Sequence, residues 1–277
     1  MLQPRPLGST GLNVSPIGLG TVKLGRNVGV KYPTPFSIPT DPQAADLLRA
    51  CQRVGITLLD TAPAYGVSEE RLGRILGACG GRDRWTIVTK AGESFEQATA
   101  TSTFDFAPAS IVASVERSLK RLRTDRVECL LLHSDGRDEW ILRESGSLDA
   151  IAKLKKQGKI RAGGISTKTP QGAALAVALG RGAGIDAVML TLNPGALDDL
   201  PAARAAHAAG VGVFIKKALD SGRAISQAPD TPGTLDAALV LAFRDASASC
   251  VVLGTINIVH LERNADAARR VLQPASA

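Results

Sequence analysis

LLDTAPAYG, residues 58–66, carries the pattern on which the fold turns. An apolar run, Ile56-Thr57-Leu58-Leu59, ends abruptly on Asp60, and Tyr65 follows five residues later as one of only two tyrosines in the chain. The run does not alternate polar with apolar. That is the mark of a strand covered on both faces, as in a parallel sheet. A carboxylate ending such a strand either caps a turn or forms part of a site.

The same kind of run recurs along the chain, at Ile17–Val22, Ile56–Asp60, Trp85–Lys90, Val127–His133, Ile160–Ser166, Ala187–Asn193, Gly212–Lys216 and Cys250–Gly254. Helical stretches follow them: Pro42–Val54, Ser68–Gly77, Ala109–Leu122, Gly146–Gln157, Pro170–Gly180, Leu200–Ala209, Thr234–Asp245 and Ile258–Leu272. Ser68 reads as an N-cap with Glu69 and Glu70 in the first turn. Positions 111, 112, 115, 119 and 122 are apolar at close to helical period. Eight strand–helix units between residues 17 and 272 fit a (β/α)8 TIM barrel, and no linker divides residues 1–277 into more than a single domain. GSTGLNVS, within Leu7–Ile17, reads as an N-terminal β-hairpin capping the barrel bottom. A doubly wound open sheet is the alternative, but Lys23 stands where the third glycine after Gly18-Leu19-Gly20 belongs.

Composition narrows the function classes. The 277 residues are 44% hydrophobic and 21% charged, an ordered globular balance. The net charge of +7 comes from dispersed basic residues on predicted helix faces without interleaved aromatics, so no nucleic-acid partner is expected. A basic chain does suit an anionic small ligand. No apolar run approaches the roughly 18 residues a membrane span needs. MLQPRPLGSTG has no signal-peptide core. The four cysteines, Cys51, Cys79, Cys129 and Cys250, form no CxxC pair and read as buried thiols in a reducing, cytoplasmic setting. With three dispersed histidines, no metal site is expected.

In a barrel of this kind the site lies at the C-terminal ends of the strands. The polar residues ending runs there are Asp60, Lys90, His133, Ser166, Asn193, Lys216 and Lys217, with Tyr65 just past Asp60. Tyr65, Lys90, Asp60 and His133 make a coherent acid–base set. A phenol titrates near 10, and an adjacent ammonium is expected to lower it. The carboxylate would hold the lysine, lying between Asp60 and Tyr65, and a neutral imidazole would orient a substrate oxygen.

Together LGSTGLNVSPIGLGT (7–21), GITLLDTAPAYGVSEERLG (55–73), IVTKAG (87–92), VERSLKRLRTDRVECLLLH (115–133), LKKQGKIRAGGIS (154–166) and VVLGTINIVHLERN (251–264) resemble the aldo-keto reductases in order and spacing. The resemblance implies a barrel binding NADPH, with NADH possible, and reducing a small carbonyl substrate to an alcohol. It places a catalytic tetrad on Asp60, Tyr65, Lys90 and His133, with Tyr65 as general acid. It places cofactor contacts on Gly20, Thr21, Val22, Ser166, Thr167, Met189, Lys216, Lys217, Leu219, Gly222, Gly254, Thr255, Asn257, His260 and Asn264. Some positions depart from the family pattern. Thr167 replaces an asparagine, Met189 a glutamine, Lys216 an aromatic that stacks on nicotinamide, Gly254 a lysine and His260 an arginine. Lys216 is expected to cover the ring with its stem and turn its ammonium to the pyrophosphate.

Two other classes fit the same residues: a redox-sensing subunit that binds cofactor with little turnover, and a lyase using Lys90 as a Schiff base. The insertion Lys23–Asp41, with Tyr32 and Phe36, and the loop Gly92–Ala107, with Phe95, Phe104 and Phe106, are candidates to shape the mouth, as is Trp140. Anchoring of long loops is the plainer role for these aromatics. The oligomeric state is not legible.

Overall fold

The structure, a computed structural model, describes residues 1–220 and 233–273. Eight parallel strands close into a barrel: β1 Ile17–Gly20, β2 Leu58–Asp60, β3 Thr86–Ala91, β4 Val127–His133, β5 Ile160–Ser166, β6 Ala187–Thr191, β7 Gly212–Lys216 and β8 Cys250–Leu253. Each strand pairs with the next, and β8 returns to β1 through Val251 opposite Ile17. Around it lie α1 Asp41–Val54, α2 Ser68–Ile75, α3 Pro108–Leu122, α4 Asp138–Arg143, α5 Ser147–Lys156, α6 Pro170–Leu179, α7 Leu200–Ala208, α8 Thr234–Val240 and α9 Ile258–Leu272.

Side chains alternate across each strand, which creates two cores. Leu59, Ile87, Leu130, Ile165, Val188, Ile215 and Val251 point outward and bury the apolar faces of the helices. Leu58, Val88, Cys129, Leu131, Ala162, Ala187, Met189, Phe214 and Cys250 fill the barrel interior. Leu7, Leu12 and Val14 join this inner cluster from the hairpin in which Arg5–Pro6 pairs with Asn13–Val14. Ser9 N–H donates to Gly210 O just before β7, which places the hairpin at the strands' N-terminal ends as a plug. All four cysteines are buried and free.

Several elements differ from expectation. Ser68 is not an N-cap. Val67 holds that position, and Ser68 lies inside α2, buried, with its hydroxyl donating to Thr21 Oγ1 at 2.8 Å. β1 stops at Gly20 because Thr21 N–H donates to Asp60 O and Val22–Leu24 winds into a 3-10 turn. The stretch read as a loop at Gly92–Ala107 contains an antiparallel hairpin, Glu93–Glu96 with Thr101–Phe104. The helix expected at Thr234–Asp245 is α-helical to Val240 and widens to a π-turn over Leu241–Asp245.

Candidate functional site

The inward period of two that fills the barrel continues upward to its mouth. Two residues above Leu58, Val88, Leu131 and Phe214 stand Asp60, Lys90, His133 and Lys216. Leu and Val make the floor and the charged groups the top layer because the strands end there and meet water. Tyr65 arrives from a different element. A 3-10 turn over Pro63–Tyr65 carries it back over the end of β2. All four tetrad candidates line one groove of about 1400 Å³, together with Ser166 and Lys216.

Lys90 is 1% exposed, and its Nζ donates to Asp60 Oδ1 at 2.5 Å and to Thr61 O at 3.0 Å. The same Nζ lies 4.8 Å from the centre of the Tyr65 ring. The Tyr65 and His133 rings meet edge to face with centroids 6.2 Å apart. One expectation is reversed. Tyr65 is not an activated phenol: burial first, then the charges of Asp60 and Glu93, push its pKa well above 10. Tyr65 therefore stands as a protonated O–H donor.

The hairpin after β3 adds a group that the sequence reading passed over. His133 Nδ1 lies 2.7 Å from Glu93 Oε2, a contact of ion-pair distance that lies off the line of a good hydrogen bond. Despite its own desolvation, the Glu93 carboxyl is held down at about 2 by His133, by the hydroxyl of Ser102 and by Lys168. His133 itself is lowered by burial more than Glu93 raises it. Glu93 follows Lys90 by three residues and begins a polar ribbon. The only sequence signal was a carboxylate directly after a strand end.

The proposed cofactor positions divide. Gly20, Val22, Ser166, Met189, Lys216, Lys217, Leu219, Gly254, Thr255, His260 and Asn264 line the same groove as the tetrad. Thr21 and Thr167 are buried behind the wall; Thr21 Oγ1 donates to Asp60 O, and Thr167 Oγ1 has no partner. Asn257 is a helix cap, its Oδ1 accepting from Val259 and His260 N–H, so it occupies part of the N-terminus of α9. Asn193 also turns away, donating to Lys217 O and accepting from Gly195 N–H. Gly222 lies outside the described residues.

Lys216 is placed differently from expectation. Its Nζ donates to Ser166 Oγ at 2.9 Å and Thr167 O at 2.6 Å, so the amine reaches across the mouth to the end of β5, two strands away. Burial, reinforced by Lys217 and Lys90, brings its pKa down to about 7.

The insertion between β1 and α1 crosses the groove. Arg71 of α2 fastens both ends, donating to Leu24 O, Pro39 O and Asp41. Tyr32 packs edge-on against Phe36, and Lys23 Nζ sits 4.0 Å over the Tyr32 ring. A Cβ on Gly254 would come within 2.7 Å of the Tyr32 hydroxyl. The lysine-for-glycine departure thus has a local cause: the loop lies where a side chain would be. Phe95, Phe104 and Phe106 serve as anchors. Arg26 lies 3.2 Å over Phe95, and Phe106 packs against Phe104 and Trp140.

A groove lined by Lys23, Lys31 and Lys217 and by the polar Thr255, His260 and Asn264 suits an anionic ligand. Among the described residues, no group of three or more His, Cys, Asp and Glu is arranged to hold a metal ion, and no helix is long and apolar enough to cross a membrane.

Residues 16–232 match the model of the aldo/keto reductase family, and the chain belongs to that family. A crystallised Pseudomonas aeruginosa protein assigned to the aldo-keto reductases is 45% identical, with a TM-score of 0.83 over 98% of this chain and 95% of that one. L-galactose dehydrogenase of Arabidopsis thaliana is 34% identical over 60% of this chain and 48% of its own length. D-threo-aldose 1-dehydrogenase of a Pseudomonas species is 29% identical over 73% of this chain and 66% of its own. The chain thus spans between about half and two thirds of the length of these two curated relatives.

Proposed function

We propose that the protein is a nicotinamide-dependent oxidoreductase that interconverts a small carbonyl compound and its alcohol at the barrel mouth. The observation that carries this reading is the convergence of Asp60, Tyr65, Lys90 and His133 in one groove of about 1400 Å³ that the candidates Ser166, Lys216, Thr255 and Asn264 also line. NADPH is the preferred cofactor and NADH the alternative. A bound reduced nicotinamide supplies hydride to the carbonyl carbon. Tyr65 gives its hydroxyl proton to the carbonyl oxygen, so one hydride and one proton make the alcohol, and the phenolate left behind is reprotonated from solvent. Lys90, fixed by Asp60, supplies positive charge beside that phenolate as it develops. His133 positions the substrate oxygen.

The lyase reading is weaker in this geometry. Lys90 is tied to both Asp60 and Thr61 O, which leaves it no freedom to attack a carbonyl. The deciding experiment is absorbance-monitored oxidation of NADPH and NADH over aldehydes, ketones and quinones. Turnover supports the reading. Cofactor binding without turnover on any compound would favour a sensing subunit, and borohydride trapping on Lys90 would favour the lyase.

A further inference from the structure

The outer faces of α2 and α3 meet in a second concavity that shares no lining residue with the mouth groove. Its volume is about 410 Å³, and it is lined by Glu70 and Arg74 of α2 and by Arg117, Lys120, Arg121 and Arg123 of α3 and its cap. We propose that this cleft binds a compact polyphosphate, held through its chain of phosphate groups. The inference stands apart from the oxidoreductase reading and gives the protein a second ligand.

A glycine lets the two helices close on each other. A Cβ on Gly73 would collide with Arg121 O, so only glycine permits this approach. The approach brings five basic side chains to one cleft with a single carboxylate, Glu70. Two of the five are partly compensated. Arg74 lies 3.2 Å from Asp41, and Arg121 lies 3.4 Å from Glu70 and 3.5 Å from Glu69. Arg117, Lys120 and Arg123 form no ion pair or side-chain hydrogen bond among the described residues. The carboxylates next to them in the chain are engaged elsewhere, Glu116 by Lys159 and Asp125 by Arg126, which also takes Asp83. The cleft thus gathers positive charge that the protein itself leaves unbalanced.

Helix stability does not account for this arrangement. The dipole of α3 favours cations in its last turn, where Lys120 and Arg121 stand. Arg117 lies before that turn, three residues from Lys120 and four from Arg121, a spacing at which like charges destabilise a helix. Arg123 caps α3 in the left-handed conformation, φ 55°, where glycine is the ordinary residue. A bound anion would offset both costs. Guanidinium groups pair with phosphate oxygens through two parallel N–H donors, and adjacent guanidiniums suit adjacent phosphates. The lining also sets what else the ligand carries. It holds no aromatic or apolar side chain, so a base meets no stacking face. Arg126 and Lys159 are neutralised by their own partners, so the unbalanced charge stays within the cleft. That favours a short phosphate chain over a long strand.

The test is calorimetric titration of the full chain with inorganic tripolyphosphate and, separately, with ATP. Both should bind, and with similar affinity, since the phosphate chain is what they share; about 0.5 M salt should weaken both. Arg117→Ala should weaken tripolyphosphate binding about tenfold, the scale of one lost charge-assisted contact. Arg123→Gly should weaken it severalfold while the melting temperature holds or rises, because glycine adopts that backbone without strain. This second variant keeps the test open if Arg117→Ala perturbs the helix. Lys31→Ala combined with Lys217→Ala, in the mouth groove, should leave tripolyphosphate binding to the cleft intact. No binding by the wild type overturns the proposal, as does full affinity in both cleft variants or loss in the groove variant alone. ATP binding to the cleft far more tightly than tripolyphosphate would overturn recognition through phosphate alone. A single-stranded oligonucleotide that displaces tripolyphosphate at lower concentration than ATP would make the surface a nucleic-acid track instead.

Discussion

Tyr65 is the residue on which the chemistry converges, and its surroundings favour the protonated phenol over phenolate. An O–H donor is what carbonyl reduction needs. Tyr65→Phe should therefore reduce carbonyl turnover by about 10²–10⁴-fold, the usual scale for a positioned proton donor. Cofactor quenching and far-ultraviolet dichroism should be unchanged; full turnover in this variant would remove Tyr65 from the mechanism. Lys216 makes a separate prediction. Its amine is depressed to about 7 by burial. On the proposed function, below pH 7 it is an ammonium beside a nicotinamide ring that is positively charged when oxidised, and above pH 7 it is neutral. Affinity for NADP⁺ should rise several-fold as pH increases from 6 to 8, while affinity for NADPH stays nearly flat. Lys216→Met should abolish the slope in fluorescence titrations. An unaltered slope would show that another group governs it.

Two inserted elements, rather than the barrel strands, complete the mouth. The hairpin Glu93–Phe104 supplies Glu93, and the chain can turn into it because Gly92 adopts φ 103°. A Cβ at Gly92 would lie 2.3 Å from the Phe106 ring, so no other residue fits that turn without displacing the aromatic anchor. The second element is the segment between β1 and α1, fastened by Arg71 at its two ends and resting on Gly254 through Tyr32. Between these ends Arg26 donates to Val28 O, Gly29 O and Ala64 O. Gly254→Ala should lift Tyr32 from its seat and speed tryptic cleavage after Arg26 and Lys31 severalfold. The melting temperature should stay within a few degrees, since the barrel core is untouched. Unchanged cleavage kinetics would mean that Tyr32 is not what holds the segment down.

At the scale of the whole molecule, the barrel interior is closed below by the hairpin and opened above by charge. Leu7 is fully buried among Leu12, Val14 and the inner strand residues. Leu7→Ala removes three buried carbons and leaves a void that the β-barrel cannot collapse around. It should cost about 2–5 kcal/mol in urea unfolding, while the KM for carbonyl substrate remains unchanged because the plug and the mouth lie at opposite ends. A KM effect as large as the stability loss would show that the two ends are coupled.

The sequence alone determined the alternation of eight buried strands with helices, because a strand covered on both faces must be continuously apolar and its end must be polar. It determined Asp60, Lys90 and His133 as strand-end groups and Tyr65 beyond them, since the period of two carries the interior straight to the mouth. It determined the plug as well, through the turn residues of GSTGLNVS. Three features belonged to tertiary structure. Ser68 looks like a cap because caps are chosen locally, yet it is held by Thr21, 47 positions away. The Glu93 ribbon reads as a loop because its residues ESFE and TSTF bury little of their own, and only the neighbouring His133, Arg26 and Ser102 give it a role. The protonation of Tyr65 and Lys216 was likewise beyond the sequence. Proximity of charges suggested activation, but desolvation at the mouth dominates, and desolvation depends on how the whole barrel packs.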